Sequence, residues 1–182
     1  KKAIMFLLPI NGGESLAIIL ALLLALNLPI LPLQILWVNM VSSIGLALAL
    51  AFEPSERNVM RRPPRPAQEA MLSRFLVWRV AFVSVLFTAG IFGIFEWALY
   101  RGLSEEYART LSVNTLVAME IWYLFSVRYL HGPSLSLEGV KGTGPVLLAI
   151  GAVLLLQVGF TYLPFMHGIF QTAPVALEHG VL

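Results

Sequence analysis

Cysteine is absent from the 182 residues, which excludes disulfides and thiolate-bound metals. Charge is nearly as scarce: Asp, Glu, Lys and Arg make up 12% of the chain, about half the share usual in soluble domains. No Gly-rich phosphate loop, nucleophile–base triad or paired-carboxylate hydrolase pattern occurs, so those chemistries are excluded in these residues. Internal repeats and low-complexity tracts are lacking as well. What is there is apolar side chain, 58% of the residues, with a mean hydropathy of +0.83. A water-soluble fold of this length could not hide so much apolar surface, because its own exterior needs a polar cover.

The apolar residues fall in five blocks, at about 3–26, 33–52, 75–100, 109–130 and 145–163. Each approaches or exceeds the roughly 20 residues that span a hydrocarbon core of about 30 Å. The predicted fold is therefore all-α, a polytopic bundle of five transmembrane helices. The short turn Asn27–Pro32 carries no charge and makes the first two blocks a tight hairpin. Residues 53–72 hold four prolines among Arg57, Arg61, Arg62 and Arg65, so this stretch is a loop. Residues 131–144 form a Gly-rich loop, and the tail 164–182 is too broken to span.

Orientation follows from Lys and Arg, which accumulate on the cytoplasmic side. A cytoplasmic N-terminus gathers Lys1, Lys2, Arg57, Arg61, Arg62, Arg65, Arg74, Arg79, Arg128 and Lys141 on that side, and leaves Arg101 and Arg109 opposite. Ten against two, of the 12 basic residues in the chain, accounts for the net charge of +2 and the pI near 9.2 without a nucleic-acid partner. The opening Lys1-Lys2-Ala3, with neither initiator Met nor signal-peptide pattern, reads as a piece of a larger protein.

Polar residues inside these blocks require a reason, because a mid-membrane carboxylate costs roughly 2.5–3.5 kcal/mol on insertion scales. Glu14 lies near the middle of the first block, three residues after Asn11 and on the same helical face. Pro9 frees a carbonyl on the preceding turn, and Gly12 and Gly13 admit a neighbouring helix. Together they predict a departure from regular helix over residues 9–14. Asn39, Ser42 and Ser43 share a face of the second block, and Glu120 sits centrally in the fourth. Oxygens of this kind are what hard cations prefer, and two deep carboxylates repel unless a proton or cation compensates them. The structural alternative is that these groups only hydrogen-bond neighbouring helices, with Ser42 and Ser43 returning to their own backbone.

Elsewhere, Glu96 lies near a helix end and Gln157 suits an interhelical hydrogen bond. Trp78, Trp97 and Tyr100 are interfacial anchors. His131, His167 and His179 lack metal-ligand spacing and read as solvated.

In order and spacing, these residues resemble P-type cation-transporting ATPases of the branch that contains the calcium pumps. Lys1-Lys2-Ala3-Ile4 resembles the stalk base leading into the fifth membrane helix, and Asn11-Gly12-Gly13-Glu14 the Asn-x-Gly-Glu within it. Pro32 to Asn39 is similar to the start of the sixth helix. Phe52-Glu53-Pro54-Ser55-Glu56 and Met60 to Arg65 are similar to the cytoplasmic loop that follows. The likeness covers essentially the whole chain and makes the five blocks the family's fifth to ninth helices.

That resemblance implies a C-terminal transmembrane domain over 1–182, containing a cytoplasmic loop at 53–72 and an extracytoplasmic tail at 164–182 before a last helix not included. It implies cation ligands at Asn11, Glu14, Asn39, Ser42 and Glu120. Ser43 is kept apart, because calcium pumps carry an Asp carboxylate at its position. A lost carboxylate lowers the charge offered to a divalent ion, so the transported cation is left open among a monovalent ion, a proton and one divalent ion. The implied partners are the lipid bilayer of a plasma (inner) membrane, the parent's cytoplasmic domains and its remaining membrane helices. Mg and ATP belong to the intact parent alone, and the fragment itself should hydrolyse nothing. The rival reading is a membrane scaffold or accessory subunit whose polar residues only hold helices together; a passive channel fits poorly, with no ring of repeated polar residues.

Overall fold

Apolar segments in lipid satisfy their own backbone as helices. The computed structural model describes residues 2–52, 74–128 and 144–176, and these contain helices and connections but no strand. The helices are α1 (Lys2–Leu23), α2 (Pro32–Ala51), α3 (Arg74–Tyr100), α4 (Glu105–Arg128), α5 (Gly144–Tyr162) and a short α6 (Pro164–Phe170). The first five are long and apolar enough to cross a membrane. The loop 53–72, most of the loop 131–144, His131, His179 and the end of the tail lie outside the described residues.

Local chemistry sets the helix starts. Pro32 occupies the first turn of α2, where its missing N–H is no loss, and Gln34 Oε1 accepts the Leu31 N–H at 3.0 Å. α4 begins about a turn before its apolar block. Ser104 Oγ accepts the Tyr107 N–H at 3.3 Å, and Glu105 and Glu106 fill the first turn, where negative charge is favoured. Hydrophobicity alone could not place that start.

α3 lies against both α1 and α4, and α5 against α2. Phe6, Ile10, Phe87, Ile91, Leu116 and Leu124 are fully or almost fully buried between them. Leu148 and Leu155 of α5, each 75% exposed, face outward as lipid-contacting residues do. α6 folds back on the bundle. Gln34 Nε2 donates to the Phe170 carbonyl at 2.8 Å, and the Phe170 ring meets Trp37 edge-on at 5.4 Å. His167, expected to be solvated, is half-buried, with Nε2 2.9 Å from the Thr161 carbonyl. The chain then returns to α4, where Thr110 Oγ1 and the Tyr107 hydroxyl accept the N–H groups of Ala173 and Ala176 at 3.0 Å each.

The expected break at Pro9 does not occur: α1 is helical from Lys2 to Leu23. A proline at this position leaves the carbonyl four residues earlier, that of Met5, without its helical donor. The Tyr123 hydroxyl supplies one from α4, at 2.9 Å. The freed carbonyl is therefore occupied by protein and does not open the helix. The two positions should behave as a coupled pair. Tyr123→Phe is expected to cost about 1–3 kcal/mol in the native background, where Met5 loses the donor that stands in for the missing N–H of Pro9. In a Pro9→Ala background the cost should fall, since an alanine N–H can serve the same carbonyl. Equal losses in both backgrounds, read by unfolding in detergent, would refute the compensation.

Candidate functional site

Gly12 and Gly13 bring α1 against α3. A Cβ at Gly13 would lie 2.6 Å from Phe87 Cβ and 3.2 Å from the Ser84 carbonyl, so only glycine permits this approach. Across the contact, Ser84 Oγ donates to the Pro9 carbonyl at 2.9 Å. The Thr88 hydroxyl is shared between the carbonyls of Gly13 (3.1 Å) and Ser84 (2.9 Å). With α1 held in this way, Glu14 is buried, 4% exposed. Its Oε2 accepts from Asn39 Nδ2 of α2 at 2.8 Å. Its Oε1 is buried with no hydrogen-bond partner.

The irregular backbone of this region lies in α2. Residues Asn39–Ser43 form one π-helical turn, and the Ile44 N–H donates to the Asn39 carbonyl, five residues back. In a regular helix, adjacent residues diverge by about 100°, and a π-helical turn narrows that angle. The Ser42 hydroxyl lies against Glu120 Oε2 and 2.9 Å from the Val38 carbonyl, while Ser43 Oγ donates to Glu120 Oε1 at 2.8 Å. Such turns recur at functional sites. Asn39 and the serines therefore join two carboxylates through a single segment of α2.

Of the six sequence candidates, Glu14 and Asn39 form one bonded group, and Ser42, Ser43 and Glu120 form another. Ser43, which sequence alone could assign to its own backbone, reaches across to α4. Asn11 is exposed and bonds to none of the others. Glu120 is completely buried. Among the described residues neither carboxylate is paired with a Lys, Arg or His. These residues also contain no cluster of three His, Cys, Asp or Glu side chains, so the oxygen set is two carboxylates with amide and hydroxyl groups. Oxygen donors without a balancing cation suit a hard ion.

Sequence reasoning missed the supporting residues. Tyr123, Ser84 and Thr88 hold the α1 backbone, and the i,i+4 spacing of Ser84 and Thr88 was the available signal. Gln157 bonds as expected: Nε2 donates to Asn114 Oδ1 at 2.7 Å, and Oε1 accepts from Trp37 Nε1 at 3.3 Å. Thr161 Oγ1 also donates to Asn114 Oδ1, at 3.1 Å. Asn114 escaped the sequence reading, although a polar residue inside an apolar block was a signal.

Fold and site together define a polytopic helical membrane domain that buries two unpaired carboxylates among neutral oxygen donors. The family profile described as "Cation transporting ATPase, C-terminus" matches residues 27–182. The chain belongs to that family, the C-terminal membrane region of P-type cation-transporting ATPases. It is 41% identical over 180 residues to a cation-transporting ATPase, pma1, of Synechocystis sp., covering 96% of this chain and 20% of that protein. A probable cation-transporting ATPase F of Mycobacterium bovis is 42% identical over 174 residues, with 96% and 19% covered. A calcium-transporting ATPase of Bacillus subtilis is 37% identical over 183 residues, with 96% and 20% covered. The chain thus spans about a fifth of the length of these curated relatives.

Proposed function

We propose that this chain is the ion-binding membrane domain of an ATP-driven P-type cation pump, and that Glu14, Asn39, Ser42, Ser43 and Glu120 contribute the ligands. The observation that carries the reading is Glu14 Oε1, a carboxylate oxygen buried in a membrane helix with no partner. A polar atom so placed is costly unless something binds it. Asn11, exposed one turn away on the same helix, is proposed to complete the site together with helices of the parent protein. ATP and Mg act in other parts of that parent, whose phosphorylation would shift the bundle between two accessible states.

The ten-to-two distribution of Lys and Arg supports a cytoplasmic N-terminus. The loop 53–72 is then cytoplasmic and the tail 164–182 extracytoplasmic. In a plasma (inner) membrane, Arg62→Cys and Glu106→Cys should label from opposite sides, and labelling from one side would reverse this topology. The function is tested on the intact parent by measuring ATP turnover across a panel of monovalent and divalent cations and over pH. At least one cation, or the proton, should stimulate turnover; a rate indifferent to all of them would defeat the reading. The scaffold alternative gains no support from a buried carboxylate oxygen that makes no hydrogen bond to a neighbouring helix.

A further inference from the structure

Between the first half of α3 and the last half of α4 lies a groove of about 600 Å³, within the roughly 300–1,000 Å³ of sites that hold small organic ligands. Its walls are aromatic, with Phe75, Trp78, Phe82 and Trp122 among them. Trp78 and Phe82 stack at 5.3 Å, and Trp122 is 77% exposed. Aromatic residues at helix ends occupy the headgroup level of a bilayer. The groove lies at the end of the bundle where α1 begins, since Phe6 stacks on Tyr123 at 6.0 Å.

One cation stands in this apolar setting. Arg79 lines the groove, and its Nη2 donates to the Ser126 carbonyl at 3.2 Å and approaches Ser126 Oγ at 3.0 Å. Its guanidinium carbon sits 5.6 Å from the centre of the Tyr123 ring. These contacts hold the group in place without neutralising it. Among the described residues no carboxylate pairs with Arg79; its other polar partner is the neutral side chain of Tyr123. A guanidinium has five N–H donors, more than Ser126 and Tyr123 use, so a fixed one with no carboxylate partner is suited to a phosphate oxyanion, and the adjoining aromatic channel is suited to an acyl chain.

We propose that this groove binds one anionic phospholipid, with its phosphate on Arg79 and an acyl chain between Trp78 and Trp122. Charge complementarity selects this occupant: a zwitterionic lipid brings its own cation, and an apolar helix would leave Arg79 unpaired. Basic pockets between membrane helices are known to take acidic headgroups. The site is separate from Glu14 and Glu120 and does not depend on which ion is carried.

The test uses the intact parent protein in detergent, titrated with phosphatidylglycerol or phosphatidylcholine and read by native mass spectrometry. The native protein should retain one phosphatidylglycerol about fivefold more tightly than phosphatidylcholine. Arg79→Gln should abolish the preference, while Arg79→Lys, which keeps the charge, should preserve most of it. Arg74→Gln, at an exposed arginine on the same helix, should leave the preference unchanged. Equal retention of the two lipids by the native protein overturns the proposal, as does an equal loss in Arg74→Gln, which would indicate diffuse surface charge. Phe82→Cys should react with a membrane-soluble maleimide unless excess phosphatidylglycerol is present. Failure to react in its absence would mean that another helix of the parent fills the groove. Because lipid retention is read without ATP turnover, these outcomes are independent of the pump reading.

Discussion

Glu120→Gln in the intact parent should weaken apparent cation affinity on the order of a hundredfold or more, while the protein still folds. Losing even an outer-shell partner of a bound metal typically costs 10- to 100-fold in affinity, and Glu120 is proposed as a direct ligand. Glutamine matches glutamate in size and keeps an oxygen acceptor, and the hydroxyls of Ser42 and Ser43 can rotate to meet its amide. What disappears is the negative charge. Glu120 is completely buried, where charge is weakly screened, so charge is the property an ion would feel most. Glu14→Gln should act in the same direction, because its amide nitrogen would face the amide of Asn39 or fill the place of the unpartnered oxygen. Both effects are read from the cation concentration that half-saturates ATP turnover, with detergent unfolding as the check on folding. A folded Glu120→Gln protein with unchanged affinity would make Glu120 a helix-packing residue.

Gly13→Val should destabilise the bundle by about 3 kcal/mol or more, a large part of a typical stability of about 5–15 kcal/mol. The added Cβ would stand 2.6 Å from Phe87 Cβ and 3.2 Å from the Ser84 carbonyl. Neither atom is the end of a flexible side chain, so α1 and α3 would have to separate. Separation would also break the Ser84–Pro9 and Thr88–Gly13 bonds that hold α1 beside α3. Gly93→Ala provides a control of opposite sign. Nothing lies within 4 Å of its added carbon, and replacing a helical glycine by alanine is worth about 0.5–1 kcal/mol of stabilisation. Unfolding midpoints of both variants in the same detergent decide the matter. A Gly13→Val protein as stable as the native one would show that the contact yields freely.

The expected and observed distortions show where sequence reading stopped. Pro9 and the paired glycines announce a weakened backbone in the first block, and local rules put a break there. The carbonyl that proline strands is nevertheless satisfied by Tyr123, more than a hundred residues away in the chain. No local pattern contains that partner. The segment that does depart from regular helix, Asn39–Ser43, carries neither proline nor glycine. Its widened turn is stabilised by what it reaches, namely Glu14 on one side and Glu120 on the other. Asn11 shows the complementary limit: it lies within about 60° of Glu14 around the helix, yet it is exposed where Glu14 is buried.

The sequence by itself determined the class of fold, the number and approximate bounds of the spanning helices, and the list of polar residues that lipid would not tolerate. These follow from the length and composition of contiguous segments, and lipid leaves an apolar backbone no other means of satisfying its hydrogen bonds. The order of Asn11-Gly12-Gly13-Glu14 and of Pro32 to Asn39 further supported the resemblance that the family match bears out. Tertiary structure alone decided which polar groups meet. Whether Ser43 bonds its own helix or Glu120, whether Met5 has a donor, and which oxygen of Glu14 is left over all depend on helix rotation and separation. Those are set by packing between segments far apart in the chain, such as Gly13 against Phe87 and Phe6 against Tyr123, and hydropathy along one segment carries no information about them.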